Sequence, residues 1–514
     1  MNGAESLVRT LVAGGVSVCF SNPGTSEMHF VVALDRVEGM RCVLGLFEGV
    51  VTGAADGYGR MTDKPAGTLL HLGPGMNNGM ANIHNAHKAC TPLLNIVGDH
   101  AVYHRGYDAP LTSDIESAAK TVSSWVRTSP NAKSVAKDGA AAVAAALTLP
   151  GQVATLILPA DTAWNEGEGV AEVPAVAGPK RVAKEAVDEA ARVLRSGEPT
   201  LILLGGRSAR QATLNLVGKI AAKTGCRVMA QGAVARTERG AGRFNVDRVP
   251  YPVDLALERL NGFKHIILVQ SRMPVAFFAY PNKPSLLAPR DCQGHVLVKG
   301  DEDPLQALEW LADEVGARQE KAPVSQYAPV KRGSGAVTPE ALGLSLGAML
   351  PENAIVVDES ITTGRNFYGT TKTSQPHDWL QNMGGSIGLC MPLSVGAAIA
   401  CPDRKVVSLE SDGSGMYTLQ ALWTQAREGL NIITIVFANR VYGILKHELA
   451  SVGAENPGRK ALDMLDIGRP DLDWVAMARG MGVPGARATT MEEFNKHFAA
   501  ATAAEGPSLI EAML

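Results

Sequence analysis

Along the whole chain, short runs of branched apolar residues end in Gly-rich or polar loops and are followed by helical patterns; this repeated order restricts the fold more than any other feature. VSVCF runs into NPGTSE, CVLGLF into EGVVTGAADGYGR, AGTLLHL into GPGMNNGMANIHNAHKA, and TPLLNIVGD into the polar loop that starts at His100. A parallel strand pair needs a crossover long enough for a helix, so the pattern builds parallel sheets covered by helices on both faces. Two stretches break the alternation: NEGEGVAEVPAVAGPKRV from Asn165 to Val182, and GARQEKAPVSQYAPVKRGSGAV from Gly316 to Val337. Both are polar, rich in Gly and Pro and without apolar periodicity, and are read as linkers. The predicted architecture is α/β: three consecutive doubly wound parallel-sheet domains over residues 1–165, 183–315 and 338–514, which a chain of 514 residues can fill.

Composition removes several classes of function. Hydrophobic residues at 46% and charged residues at 19% exclude a disordered chain. Lys and Arg number 48 against 51 Asp and Glu, a net charge of −3 without a basic cluster, so nucleic acid is not expected as a partner. No stretch offers the ~20 uncharged apolar residues of a membrane span, and the first residues lack the pattern of a secretory leader. Seven scattered cysteines with no C-x-x-C pair suggest neither a disulfide framework nor zinc. The sequence reads as a cytoplasmic protein with no membrane partner.

Sheets of this type bind ligands where strand C-ends meet loops, which places Thr25, Glu48, His71 and Asp99 at candidate positions. The middle part has strands at TLILLG, CRVMAQ, HIILVQ and HVLVKG, but GGRSAR after the first lacks the third glycine of a dinucleotide fingerprint. FAD is therefore not expected, and the middle part reads as a spacer. The third part carries more: in SLESDGSGMYTLQALWTQAREGLNIITIVFANRVYG one strand ends at Glu410, a glycine-rich turn opens a helix, and the next strand ends at Asn439. Asp412 and Asn439, 27 residues apart, thus fall at the ends of neighbouring parallel strands. A carboxylate and an amide oxygen converging there suit Mg²⁺, and the amides of Gly413 and Ser414 at a helix start suit a diphosphate.

That stretch resembles the diphosphate and magnesium motif of thiamine diphosphate enzymes, a Gly-Asp-Gly turn followed some thirty residues later by an Asn pair. Ser411 stands for the first glycine and Ala438 for the first asparagine. The resemblance implies Mg²⁺ ligation by Asp412, Asn439 and the carbonyl of Val441. In the first part, LFEGVVTGAADGYGR resembles the segment that carries the catalytic glutamate of the acetolactate synthase and benzoylformate decarboxylase superfamily, which makes Glu48 the proton relay to the cofactor pyrimidine. NMGGSIGLCMPLSVGAAIA resembles the strip that bends the cofactor, with Ile387 as the wedge and the carbonyl of Gly385 as acceptor. His71 and Thr25 align with substrate-contacting positions of the benzoylformate decarboxylase type, and Tyr442, Gly443 and Ile444 continue the cofactor loop. Glu448 stands where acetolactate synthase has a Trp, so a second carboxylate substrate is disfavoured.

The resemblance spans the chain in the order pyrimidine-binding, central, diphosphate-binding. It implies a thiamine diphosphate and Mg²⁺ dependent decarboxylase or carboligase of a small 2-oxo acid, assembled as a homodimer or homotetramer with active sites at the dimer interface. A thiamine-dependent 2-hydroxyacyl-thioester lyase is the nearest alternative; it would need a basic nucleotide pocket for which Arg207, Arg210 and Arg272 are available. A non-catalytic, cofactor-binding paralogue is the alternative from another class.

Overall fold

The computed structural model describes residues 1–454 and 456–514. Three sheets are present. The first has six parallel strands in the order Arg41–Leu44, Val18–Ser21, Ala66–Leu70, Leu93–Asp99, Val153–Pro159, Trp125–Thr128. The second has five: Asp247–Arg248, Arg227–Ala230, Thr200–Leu204, His265–Val269, Gln293–Val298. The third has seven, running Gly485–Ala488, Ser508–Met513, Ile432–Ala438, Val406–Ser411, Ile355–Glu359, His377–Gln381, Arg236–Arg239. Central strands such as Leu93–Asp99 and Ile432–Ala438 are buried on both faces, as their largely apolar sequences require of a sheet sandwiched between helices.

The last strand of the third sheet departs from the sequence reading. Arg236–Arg239 leaves the middle part and pairs antiparallel with His377–Gln381. Four residues with three charges carry no apolar strand signal; the pairing is decided by what lies beside it. The Arg239 guanidinium lies 3.5 Å from the centroid of the Tyr368 ring and donates to Thr371 Oγ1, while Arg236 bonds Asp378 at 2.8 Å.

Two helices bind the first part to the third. Glu48–Thr62 and Cys390–Ala400 cross so closely that a Cβ at Gly57 would lie 2.1 Å from the Leu393 carbonyl oxygen and one at Gly396 1.8 Å from that of Ala54. The Ala and Gly content of both segments is the condition for that crossing. Beside it, Arg60 forks onto Asp56 with bonds of 2.8 and 2.6 Å and donates to the Gln381 carbonyl, and Thr91 donates to Asp56 as well. The pair is fully buried yet has its hydrogen bonds met. No helix among the described residues is long and apolar enough to cross a membrane, and all seven cysteines are free.

Candidate functional site

The strand Val406–Ser411 delivers Asp412 into a one-turn helix, Asp412–Gly415, and the neighbouring strand Ile432–Ala438 delivers Asn439. Arg440, at φ +58, turns the chain so that its N–H reaches Asp412 Oδ2 at 2.6 Å, while the Gly413 N–H bonds Oδ1 at 2.9 Å. Asn439 Oδ1 accepts the Val441 N–H at 3.0 Å and the Val441 carbonyl accepts that of Gly443 at 2.8 Å. Asp412, Asn439 and Val441 are thus brought together, and each carbonyl oxygen keeps a second lone pair. Burial pushes Asp412 up to about 6, against the opposing pull of backbone N–H groups and of the Arg440 guanidinium. A buried carboxyl so short of positive charge is what a divalent cation would relieve. Among the described residues no group of three His, Cys, Asp or Glu side chains could hold a metal; the donors available at this point would be one carboxylate, one carboxamide and one main-chain carbonyl, all hard oxygen. Gly413 faces the Tyr442 ring, 2.5 Å from where a Cβ would stand, and Ser414 Oγ is engaged by Glu410. Ile444 lies half-buried in the first turn of the helix Gly443–Ser451.

The Gly-rich loop before Cys390 is held by a carboxylate that sequence reasoning missed. Glu359, at the end of Ile355–Glu359, accepts the N–H groups of Gly388, Leu389 and Cys390 at 3.1, 2.9 and 3.0 Å and the Asn382 amide at 2.9 Å. Its burial pushes it up to about 7. Opposite it in the strand register is Glu410, buried, one oxygen bonded to Ser411 N–H and Ser414 hydroxyl, the other without a partner. Burial and the neighbouring Glu359 hold Glu410 well above the usual carboxylate range. Four donors favour charge on Glu359, so Glu410 keeps the proton. Gly385 lies exposed at φ +79 and Ile387 half-buried in this loop.

In the first sheet, Glu48 opens its helix, buried, with Asn78 donating to Oε2 at 3.0 Å. Gly75 sits between Glu48 and His71: a Cβ there would lie 3.2 Å from Glu48 Oε1 and 3.4 Å from the His71 Cβ. His71 follows the strand Ala66–Leu70 and precedes buried Leu72, a non-glycine at φ +48 and so a point of strain. His71 Nδ1 bonds Glu27 Oε2 at 2.8 Å, an oxygen that also accepts the Gly24 N–H. Glu27, in the same NPGTSE turn as Thr25, is buried; Thr25 is exposed. Glu27 also escaped the sequence reading, although its place three residues after Gly24 fits a carboxylate folding back on its own turn.

Glu48, His71 and Thr25 therefore share one wall, and the Asp412 group forms another. Among the described residues no hydrogen bond joins the two; Asn82 and Asn85 tie the first wall to the Gly-rich loop through the carbonyls of Gly388 and Ser386. Arg207 and Arg210 both face Asp63, and Gln270 occupies the crevice beside Gly205 and Gly206.

Three sheets, parallel throughout except at Arg236–Arg239, with a carboxylate at a helix start on the first and a Gly-rich turn at a strand end on the third, give the chain the layered form of an α/β enzyme. The comparisons are more specific. Residues 1–121 match the family described as "Thiamine pyrophosphate enzyme, N-terminal TPP binding domain" and residues 362–512 its C-terminal TPP binding domain. The chain is 51% identical over 518 residues to the Mycobacterium tuberculosis protein named "Putative acetolactate synthase large subunit IlvX", covering 100% of this chain and 99% of that one. It is 29% identical to benzoylformate decarboxylase of Pseudomonas aeruginosa over 97% of this chain and 96% of that protein. The fold superposes on the thiamine diphosphate-dependent 4-hydroxybenzoylformate decarboxylase of Rhodococcus jostii with a TM-score of 0.86 at 24% identity, covering 99% and 98% of the two chains. The chain belongs to the thiamine pyrophosphate enzyme family.

Proposed function

We propose that this enzyme breaks or forms the carbon–carbon bond next to the carbonyl of a 2-oxo acid, with Mg²⁺ as the ion that fastens the diphosphate of its cofactor. The observation that carries the reading is the buried Asp412 carboxyl, short of positive charge and flanked by the Asn439 and Val441 oxygens at the ends of adjacent strands. When bound, thiamine diphosphate supplies a nucleophilic carbon and an electron-withdrawing ring. Asp412, Asn439 and the Val441 carbonyl hold the metal; the amides of Gly413 and Ser414, with Tyr442, Gly443 and Ile444, hold the diphosphate end. Ile387 would support the cofactor between its two ends, and the Gly385 carbonyl would accept a hydrogen from its amino group. Glu48 moves a proton at Oε1, since Asn78 already donates to Oε2. His71, its Nδ1 engaged by Glu27, presents Nε2 to the substrate, and Thr25 orients the substrate carboxylate.

The two walls act across a two-fold interface, Glu48 of one chain serving the diphosphate site of its partner, in a homodimer or homotetramer. The unpaired cysteines suit the cytoplasm. Engagement of Arg207 and Arg210 by Asp63 speaks against the thioester-lyase alternative.

Titration calorimetry with thiamine diphosphate and Mg²⁺ tests the metal assignment: Asp412→Ala is expected to weaken binding by at least ~100-fold, on the scale of losing a charged ligand. Glu48→Gln should bind within a few-fold of wild type and slow hydrogen–deuterium exchange at the cofactor's reactive carbon by ~10²- to 10⁴-fold. Unchanged affinity in Asp412→Ala, or wild-type exchange in Glu48→Gln, would sink the corresponding role.

A further inference from the structure

The middle layer sends a hairpin across to the third. Its arms are joined by the Ala276 N–H to the Ser285 carbonyl at 2.8 Å and by the Leu287 N–H to the Pro274 carbonyl at 2.9 Å. Its tip, FFAYPN, reaches the loop that carries Gly385. The Phe277 ring lies so close that a Cβ at Gly385 would stand 2.6 Å from its Cζ. Phe277 meets Phe278 edge-on at 4.9 Å and Tyr251 at 5.6 Å between centroids. Tyr251 in turn donates its hydroxyl to Glu448 Oε1 at 3.2 Å, with Tyr280 beside both. A carboxylate from the helix that follows the Asp412–Asn439 group is thereby fixed at the rim of an aromatic cluster from another layer.

Phe277 and Phe278 nevertheless remain 56% and 54% exposed. Two phenyl rings anchored by stacking and left open over the Gly385 loop form a surface that something apolar covers. Their position decides what it is, because they stand over the loop assigned to the cofactor and beside a fixed negative charge. We infer that the hairpin Pro274–Leu287 is the specificity wall of the enzyme: Phe277 and Phe278 pack on the side chain of the 2-oxo acid, and Glu448, held by the Tyr251 hydroxyl, repels acids with a second carboxylate. The substrate is then a monocarboxylic 2-oxo acid with an aryl or similarly broad apolar side chain. A methyl group leaves both rings largely uncovered and forfeits their contact area. A distal carboxylate meets Glu448, a repulsive element of the kind that sets specificity against a rival. This inference rests on the reading of the Gly385 loop as part of the cofactor cleft.

The test is kcat/KM of the holoenzyme on benzoylformate, pyruvate and 2-oxoglutarate, with cofactor affinity measured alongside. Wild type should favour the aryl acid over pyruvate by at least ~100-fold, and Phe277→Ala should lower that ratio by ~10- to 100-fold. Glu448→Gln should raise 2-oxoglutarate turnover relative to benzoylformate by ~10-fold. If Phe277→Ala does not fold, Phe278→Ala carries the same expectation. An unchanged ratio with normal cofactor binding overturns the inference and leaves the proposed function standing. A changed sedimentation coefficient with unchanged selectivity overturns it too, making the hairpin an interface between copies. Failure to bind the cofactor removes the proposed function, and this inference with it.

Discussion

Glu410 and Glu359 stand opposite one another on adjacent strands; burial pushes both carboxyls up, and the charge of Glu359 pushes Glu410 further. A carboxyl held protonated when folded but ionised when unfolded costs stability as pH rises. The unfolded chain releases the proton near 4.5 and the folded chain only near 7 for Glu359, and Glu410 is likewise held well above its ordinary range. Between those values the folded state binds more protons, so stability declines with pH and levels off above the folded value. The melting temperature of the wild type should therefore fall between pH 5 and pH 8. Glu410→Gln, which cannot ionise, should fall less steeply and melt higher than wild type at pH 8; equal slopes in differential scanning fluorimetry would contradict the assignment. Nothing in the string SLESDGSG distinguishes Glu410 from an ordinary strand residue. Its chemistry comes from the neighbour across the sheet, which the sequence places 51 residues earlier.

At the scale of elements, the helix Glu48–Thr62 has two jobs that its sequence spells out together. Its first residue bears the candidate catalytic carboxyl, and its last turn bears Arg60, paired with Asp56 and bonded across to the third sheet. Asp56→Ala leaves a buried guanidinium without its counter-ion, which costs about 3–5 kcal/mol in comparable pairs. The expected result is a lower unfolding midpoint in urea and looser attachment of the first sheet to the third, read as faster amide exchange in both helices of the Gly57–Gly396 crossing. Replacing both partners with apolar residues, Asp56→Leu with Arg60→Met, should recover much of the loss. A single variant as stable as wild type would show that Arg60 finds other partners. The A-A-D-G-Y-x-R string was legible as a signature of the family, but its role as a clasp was not, because both acceptors beyond Asp56 lie in other layers.

The whole molecule couples three sheets, and ligand and assembly should report on that coupling. Binding to the folded state alone raises apparent stability by mass action. Adding thiamine diphosphate with Mg²⁺ should raise the melting temperature, and EDTA should reverse the gain; a gain indifferent to EDTA would remove the metal from the scheme. Light scattering is expected to give at least twice the 54.0 kDa of one chain. The loop after Asp99, with Tyr103 and Tyr107 at 69% and 78% exposure, is a surface that a second copy would bury. By itself the sequence determined the layered α/β class and the spacing of Asp412 from Asn439, because hydrophobic period and strand-end position are local properties of a chain. Only the tertiary structure decided that Arg236–Arg239 joins the third sheet, that Glu27 holds His71, that Glu359 and Glu410 face each other, and that Phe277 from the middle layer reaches Gly385. Each of these joins residues far apart in sequence whose chemistry depends on burial and on a partner, and neither is written in the residues on either side.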